Sequence, residues 1–229
     1  MSIAFAARRA SPSIVNLLFQ IRLTIRGSCR MMIPSVRKEG FSMKHIQIRE
    51  LSLAAMGVAL IAVCSWISVP SLLPTMVPFT LQTFAVCLVT ALFGLKLGLW
   101  TVGCYILLGA VGVPVFAGFK AGVGALLGTT GGYIVGFLFT ALAVGLAVDR
   151  LGRRVPVLLS AMALGILLCY AFGTAWFVLV YSRSSGAIGA ATALAWCVLP
   201  YLIPDAVKIV LAVFLTGRLY PLLQRRVFP

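Results

Sequence analysis

The sequence predicts an all-α membrane protein with six transmembrane helices, N-in/C-in, and long outer loops after helices 1, 3 and 5. Three observations carry that prediction. Of 229 residues, 62% are hydrophobic and only 10% are charged, where a soluble domain carries about 25% charged residues. The mean hydropathy of +1.10 leaves too little polar surface to coat a soluble particle. The excess of base, 19 Lys and Arg against 4 acids, falls at the N-terminus and between long apolar runs. A basic stripe would suggest nucleic acid; bases that punctuate apolar runs instead orient a chain in a bilayer.

Residues 1–42 read apart from the rest. They hold Arg8, Arg9, Arg22, Arg26, Arg30, Arg37 and Lys38 with one acid, Glu39. Such a segment suits an organellar targeting peptide, or an amphipathic surface helix with Ile14, Leu17, Leu18 and Ile21 on one face, or sequence ahead of a later start. The third reading is preferred. Met43-Lys-His45 stands just before the first apolar run, and codons for Lys38-Glu39-Gly40 can spell a purine-rich ribosome-binding sequence with Phe41 and Ser42 as spacer. Residues 1–42 are expected to be a dispensable basic extension, and 43–229 the membrane domain.

A spanning helix needs about 20 apolar residues. The first run is 51–69, closed by Pro70 and Pro74. The second, 79–93, is short and ends at a tight turn, Gly94-Leu-Lys96. The third is 97–113, ended by Pro114. Residues 115–130 are a glycine-rich connection, and 131–148 form the fourth span, stopped by Asp149-Arg-Leu-Gly-Arg-Arg154. The fifth is 155–181. The stretch 186–219 is too long for one crossing, at about 50 Å against a core of about 30 Å. Pro200 and Pro204 each remove an N–H and crowd the preceding turn. Residues 187–199 are therefore expected to be a short helix in an outer connection, with the sixth span starting at Pro204 in its first turn. An inside N-terminus leaves Lys120 and Arg183 outside and Lys44, Arg49, Lys96, Arg150, Arg153, Arg154, Arg218, Arg225 and Arg226 inside, as the positive-inside rule requires.

Within the spans, acids are scarce. Glu50 and Asp149 sit at basic ends. Asp205 lies three residues before Lys208, and i, i+3 residues share a helix face. A charge at membrane depth costs about 2.5–3.5 kcal/mol and persists only beside a partner or a cavity. The pair either neutralises itself and orders the helix, or lines a ligand site where Asp205 accepts N–H donors. Thr80, Gln82 and Thr83 stand at the mouth between the first two spans. Lys120 is the one cation of the glycine-rich loop, either a partner for a carboxylate or a side chain reaching for water. Tyr170 precedes Phe172-Gly173, where the missing side chain offers it room as a cavity wall. Glycines four apart, such as Gly132/Gly136, mark close packing.

Several chemistries lack their signatures. There is no G-x-x-x-x-G-K-[ST], no H-E-x-x-H and no G-x-S-x-G; the only histidine is His45. No cofactor and no metal is expected. The six cysteines, Cys29, Cys64, Cys87, Cys104, Cys169 and Cys197, form no C-x-x-C and read as small apolar residues.

Val77-Pro-Phe-Thr-Leu-Gln-Thr83, Leu107-Leu-Gly-Ala-Val-Gly-Val-Pro-Val-Phe-Ala-Gly118, Gly131-Gly-Tyr-Ile-Val-Gly-Phe137 and Pro200-Tyr-Leu-Ile-Pro-Asp-Ala-Val-Lys208 resemble the BioY family, the biotin-binding S components of energy-coupling factor transporters. The likeness covers residues 43–219. The chain departs from it at Gly128-Thr129-Thr130, where the family reads Gly-Pro-Thr, and at Pro204-Asp205, where a glycine often intervenes. The resemblance implies a plasma-membrane receptor that takes biotin from outside, with Asp205, Lys208, Lys120, Tyr170 and Gln82 as ligand contacts. It also implies a transmembrane T component and two ATPases as partners, docked through small residues of the first helix, here Ala55 and Ala59. The alternatives are an S component for another small vitamin, or an intramembrane enzyme or assembly factor.

Overall fold

The computed structural model describes residues 48–69, 78–184, 186 and 189–227. The expectations for residues 1–42, Met43, Pro70 and Pro74 lie outside the described residues. The chain runs α1 (Ile48–Trp66), β1 (Ser68–Val69), β2 (Phe79–Thr80) and α2 (Gln82–Val111). A 3-10 turn (Ala117–Phe119) and α3 (Val123–Leu127) follow, then α4 (Gly131–Leu151), α5 (Val155–Ser184), α6 (Ala190–Cys197) and α7 (Leu199–Val227). Among the described residues, five helices (α1, α2, α4, α5 and α7) are long and apolar enough to cross a membrane. Large apolar side chains such as Trp100, Leu107, Val207 and Phe214 stay exposed along them, a surface made for lipid rather than water.

Helix α2 is two arms folded back on each other. Gly94, at φ 80° and ψ −172°, interrupts the helical path. Gln82 and Tyr105 share a hydrogen bond, and a Cβ on Gly98 would lie 3.1 Å from Thr90 Cα. In a straight helix residues 90 and 98 stand about 12 Å apart. The turn predicted at Gly94-Leu-Lys96 is therefore present, and its orphaned backbone groups find side-chain partners. Arg153 Nε donates to Ala91 O at 2.8 Å and Arg153 Nη2 to Leu92 O at 3.4 Å, while Leu95 N–H donates to Asp149 Oδ2 at 3.3 Å. The Arg153 guanidinium also lies 3.9 Å from the ring centre of Tyr220. Burial pulls its pKa below the ordinary arginine value, with Tyr220 and Asp149 acting the other way. One end of the bundle thus gathers the α2 turn, the α4–α5 connection and the C-terminal part of α7.

Helix α4 packs on α5 and α2 through missing side chains. A Cβ on Gly136 would meet Cys169 Sγ at 2.7 Å, and one on Gly145 would meet Leu95 Cα at 2.6 Å. Thr140 Oγ1 donates to Gly165 O at 2.9 Å, satisfying a hydroxyl inside the contact. The glycine spacing in α4 is thus an interface, as predicted.

Three expectations need correction. The second span begins at Gln82, not 79, because Phe79–Thr80 pairs as a strand with Ser68–Val69, Ser68 opposite Thr80 and Val69 opposite Phe79. A two-residue ribbon has no periodicity for sequence to show. The last long helix starts at Leu199, not Pro204. Its break from α6 falls at Val198, just ahead of Pro200, which occupies the first turn at no cost in hydrogen bonds. Pro204 then lies inside the helix, unable to donate to the carbonyl of Pro200. Asp205 consequently sits nearly two turns into α7 rather than in its first turn.

Gly94→Ala is expected to lower stability by about 1–3 kcal/mol, since its backbone region is open essentially to glycine alone and a Cβ would lie 2.7 Å from Asp149 Oδ1. Gly103→Ala, whose Cβ would meet nothing within 4 Å, should be neutral or stabilising. Thermal unfolding of the two variants in detergent tests this.

Candidate ligand-binding site

Helix α7 presents Asp205 and Lys208 to the bundle interior, 4% and 5% exposed. Lys208 Nζ donates to Asp205 Oδ1 at 2.7 Å, to the Thr80 carbonyl at 2.6 Å and to Thr83 Oγ1 at 3.3 Å. These three acceptors use all three ammonium donors. Nζ also lies 4.2 Å from the ring centre of Phe79, a cation–π contact. Asp205 Oδ1 accepts a second bond from Thr83 Oγ1 at 3.3 Å, and Asp205 Oδ2 accepts a short one from the Tyr170 hydroxyl. A carboxylate has about four acceptor positions; among the described residues three are filled, leaving one on Oδ2.

The pair lines a deep chamber of about 60 Å³ with Thr80, Thr83, Tyr133, Cys169, Tyr170, Cys197 and Tyr201. It adjoins a second chamber, about 70 Å³, that holds Gln82, Phe116, Lys120, Thr130 and Ile134. The two share Pro78, Thr80, Tyr133 and Phe137.

The glycine-rich connection is pinned over this space. Trp66 Nε1 donates to Pro114 O at 2.9 Å, and the Trp66 ring stacks on Phe119 with centres 5.1 Å apart. Phe116 is inserted against Gly109, where a Cβ would lie 2.1 Å from its ring. Tyr105 OH donates to Val115 O at 2.9 Å and accepts from Gln82 Nε2 at 2.7 Å. Farther along, Trp176 Nε1 donates to Gly128 O at 3.1 Å. Gly122, at φ 84°, lets the chain double back so that its N–H reaches Gly109 O at 2.7 Å.

The profile of the BioY family matches residues 37–225. The chain belongs to the BioY family. A probable biotin transporter BioY from Pyrococcus horikoshii is 41% identical over 175 residues, 76% of this chain and 98% of the relative. The biotin transporter BioY from Thermotoga maritima is 39% identical over 176 residues, 75% of this chain and 96% of the relative. A crystal structure of the S-component for biotin from an ECF-type ABC transporter superposes with a TM-score of 0.68 at 27% identity, covering 77% of this chain and 93% of that one. This BioY chain is accordingly a multi-pass membrane protein with the S-component fold.

The structure brings all five predicted ligand contacts to the paired chambers: Asp205, Lys208 and Tyr170 in the deep one, Gln82 and Lys120 in the other. Their roles are less even than expected. Lys208 has no donor to spare. Gln82 is buried, and its amide nitrogen holds Tyr105. Tyr170 does line the cavity, but the space at Gly173 is not its own. The ring of Tyr133 fills it, 2.3 Å from where a Cβ would stand, with Tyr133 OH and Thr174 Oγ1 at 3.0 Å. Tyr133 and Tyr201 were not among the predicted contacts; only the position of Tyr133 behind Gly131-Gly132 at a helix start signals it. The five described cysteines are free thiols, and Cys169 and Cys197 line the deep chamber.

Lys208→Met strands Asp205 as a buried unpaired charge and should cost about 3–5 kcal/mol. Asp205→Asn with Lys208→Met removes both charges and should unfold at a higher temperature than the single Lys208 variant. A double variant no more stable than the single one would contradict the pairing.

Proposed function

We propose that this chain is the substrate-binding membrane component for biotin uptake, taking biotin from the outer side and delivering it with an ATP-driven energy-coupling module. The carrying observation is a buried carboxylate with an acceptor position left open by the described residues, in a chamber adjoining a second one whose rim bears a cation. The printed names of the relatives and of the solved S-component support the same ligand.

Biotin offers a ureido ring with two N–H donors and a carbonyl, an apolar thiophane ring, and a valerate carboxylate. One ureido N–H takes the open position on Asp205 Oδ2. The ureido carbonyl competes for Lys208, displacing its longest bond, the one to Thr83 Oγ1. Tyr170, Tyr133 and Phe137 pack on the thiophane ring. The carboxylate reaches Lys120, which is exposed at the rim of the second chamber. Gln82 acts by holding Tyr105, and through it the loop that covers the ligand.

The reading includes six crossings, the two arms of α2 counting separately, with both chain ends in the cytoplasm. Lys96, Arg150, Arg153, Arg154 and Arg218 then mark the inner end and Lys120 the outer one, which suits the positive-inside rule. The membrane domain is taken as residues 43–229; the family match, running from 37 to 225, covers nearly all of it. The chain is not an enzyme and uses no cofactor. With no phosphate-binding loop of its own, it relies on a T component and two ATPases. Ala55 and Ala59 are exposed on α1. Ala59 lines a wholly apolar lateral groove of about 1500 Å³ among α1, α2 and α7, away from the polar cluster. Small residues let a partner helix approach closely, and this is where the T component docks.

Labelled biotin should bind the detergent-purified chain and resist displacement by thiamine or riboflavin; equal competition would point to another vitamin. Asp205→Asn should weaken biotin by about ten- to hundredfold, the worth of a hydrogen bond to a charged group, and should also lower stability because Lys208 loses its counter-charge, so binding is measured on the fraction shown to be folded. Lys120→Ala should reduce affinity for biotin more than for biotin amide, and equal losses would remove its carboxylate role. Ala59→Trp should abolish uptake by cells carrying the coupling module yet leave biotin binding intact; loss of both, or of neither, would move the docking site elsewhere.

A further inference from the structure

Beyond Lys120 the cavity does not end. A third space of about 450 Å³ begins at Lys120, Ala125 and Thr130, which also belong to the second chamber, and continues along Ala121, Gly124, Gly128 and Thr129. It is open to the surface, and among the described residues no acidic or aromatic side chain lines it. A Cβ built on Gly124 would meet nothing within 4 Å. The three spaces adjoin in series, with the buried Asp205–Lys208 pair at one end and the exposed Lys120 between the second and the third.

We propose that the site also accepts biotin extended at its carboxylate, in particular the amide of biotin with the side-chain amine of lysine, the form in which degraded biotin-carrying proteins would supply it. This rests on the biotin reading of the first two chambers. The extension leaves the ureido and thiophane ends untouched. Amide formation removes the anion but keeps a carbonyl oxygen that Lys120 can meet. An exposed ion pair contributes at most about fivefold to affinity, so its loss is a small penalty. The lysine portion then lies between Ala121 and Thr129, where its own amino and carboxyl groups remain in water and need no desolvation. Extension at the ureido end has no such exit, because Asp205 and Lys208 are buried there.

The test is equilibrium binding of biotin and of ε-biotinyl-lysine to the purified full chain, native and with Gly124→Phe. Biotinyl-lysine should bind the native chain within about tenfold of biotin. Gly124→Phe should leave biotin affinity unchanged and weaken biotinyl-lysine at least tenfold. Thr129→Trp, which fills the same space from its other wall, should do the same if Gly124→Phe fails to fold; biotin binding reports folding in each case. Native chain that binds biotin but holds biotinyl-lysine more than tenfold weaker overturns the inference and spares the biotin reading. A variant that weakens both ligands alike overturns it as well. Failure of biotin itself to bind would sink the reading on which the inference stands.

Discussion

Asp205 and Lys208 carry opposite charges 2.7 Å apart in an apolar bundle. Neither charge is tolerable alone at that depth, and a buried pair remains only where its other donors and acceptors are answered. The answers come from four parts of the chain: the Thr80 carbonyl on β2, Thr83 on the first arm of α2, Tyr170 on α5, and the pair on α7. The need for the Thr80 carbonyl accounts for the extended stretch at Phe79–Thr80. A helix begun at 79 would turn that carbonyl toward the N–H of Phe84. Starting at Gln82 leaves it free for the ammonium, and the β1 strand takes up the ladder bonds.

Most of the fold was legible because hydropathy and punctuation are strong signals in a membrane chain. The apolar runs, the turn at Gly94 and the close glycine contacts of α4 all follow from residue type and spacing. The misreadings share a cause: each concerned a local rule that a distant partner overrode. Pro204 reads as a helix start by its own chemistry, yet the helix had already restarted at Leu199 with Pro200 in its first turn. Gly173 reads as room for its neighbour Tyr170, yet Tyr133 arrives from α4 to fill it. Gln82, polar at a mouth, does line the second chamber, while its amide nitrogen also holds Tyr105 on the other arm of the same helix. Sequence lists which side chains can bond; only the packing assigns the partners.

The loop carrying Lys120 shows how a glycine-rich segment becomes ordered. Its backbone freedom is removed at separate points, by Trp66 at Pro114, Tyr105 at Val115, Phe116 in the niche of Gly109 and Trp176 at Gly128. Between those pins lie Gly118, Phe119 and Gly122, all at positive φ. The strained Phe119 is held by its stack on Trp66, so the C-terminal end of α1 supports the conformation of the loop. The same helix exposes Ala55 and Ala59 on its lateral surface. Ligand cover and lateral face are thereby joined through one rigid element, with no intervening linker.

The order of charges along the cavity decides what kind of molecule fits and which way round. The deep chamber holds one anion and one cation and is neutral in sum. A ligand anion placed there would lose its hydration and find a lysine whose donors are already spent, beside a carboxylate that repels it. A neutral group with both donors and acceptors avoids that cost and can exchange bonds with the cluster one for one. At the other end Lys120 is exposed, so an anion meets a cation while still partly hydrated. A rod with a neutral polar head and an anionic tail therefore enters head first. The reverse orientation would bury the tail's charge against Asp205 and leave the head's paired hydrogens facing an ammonium that can only donate.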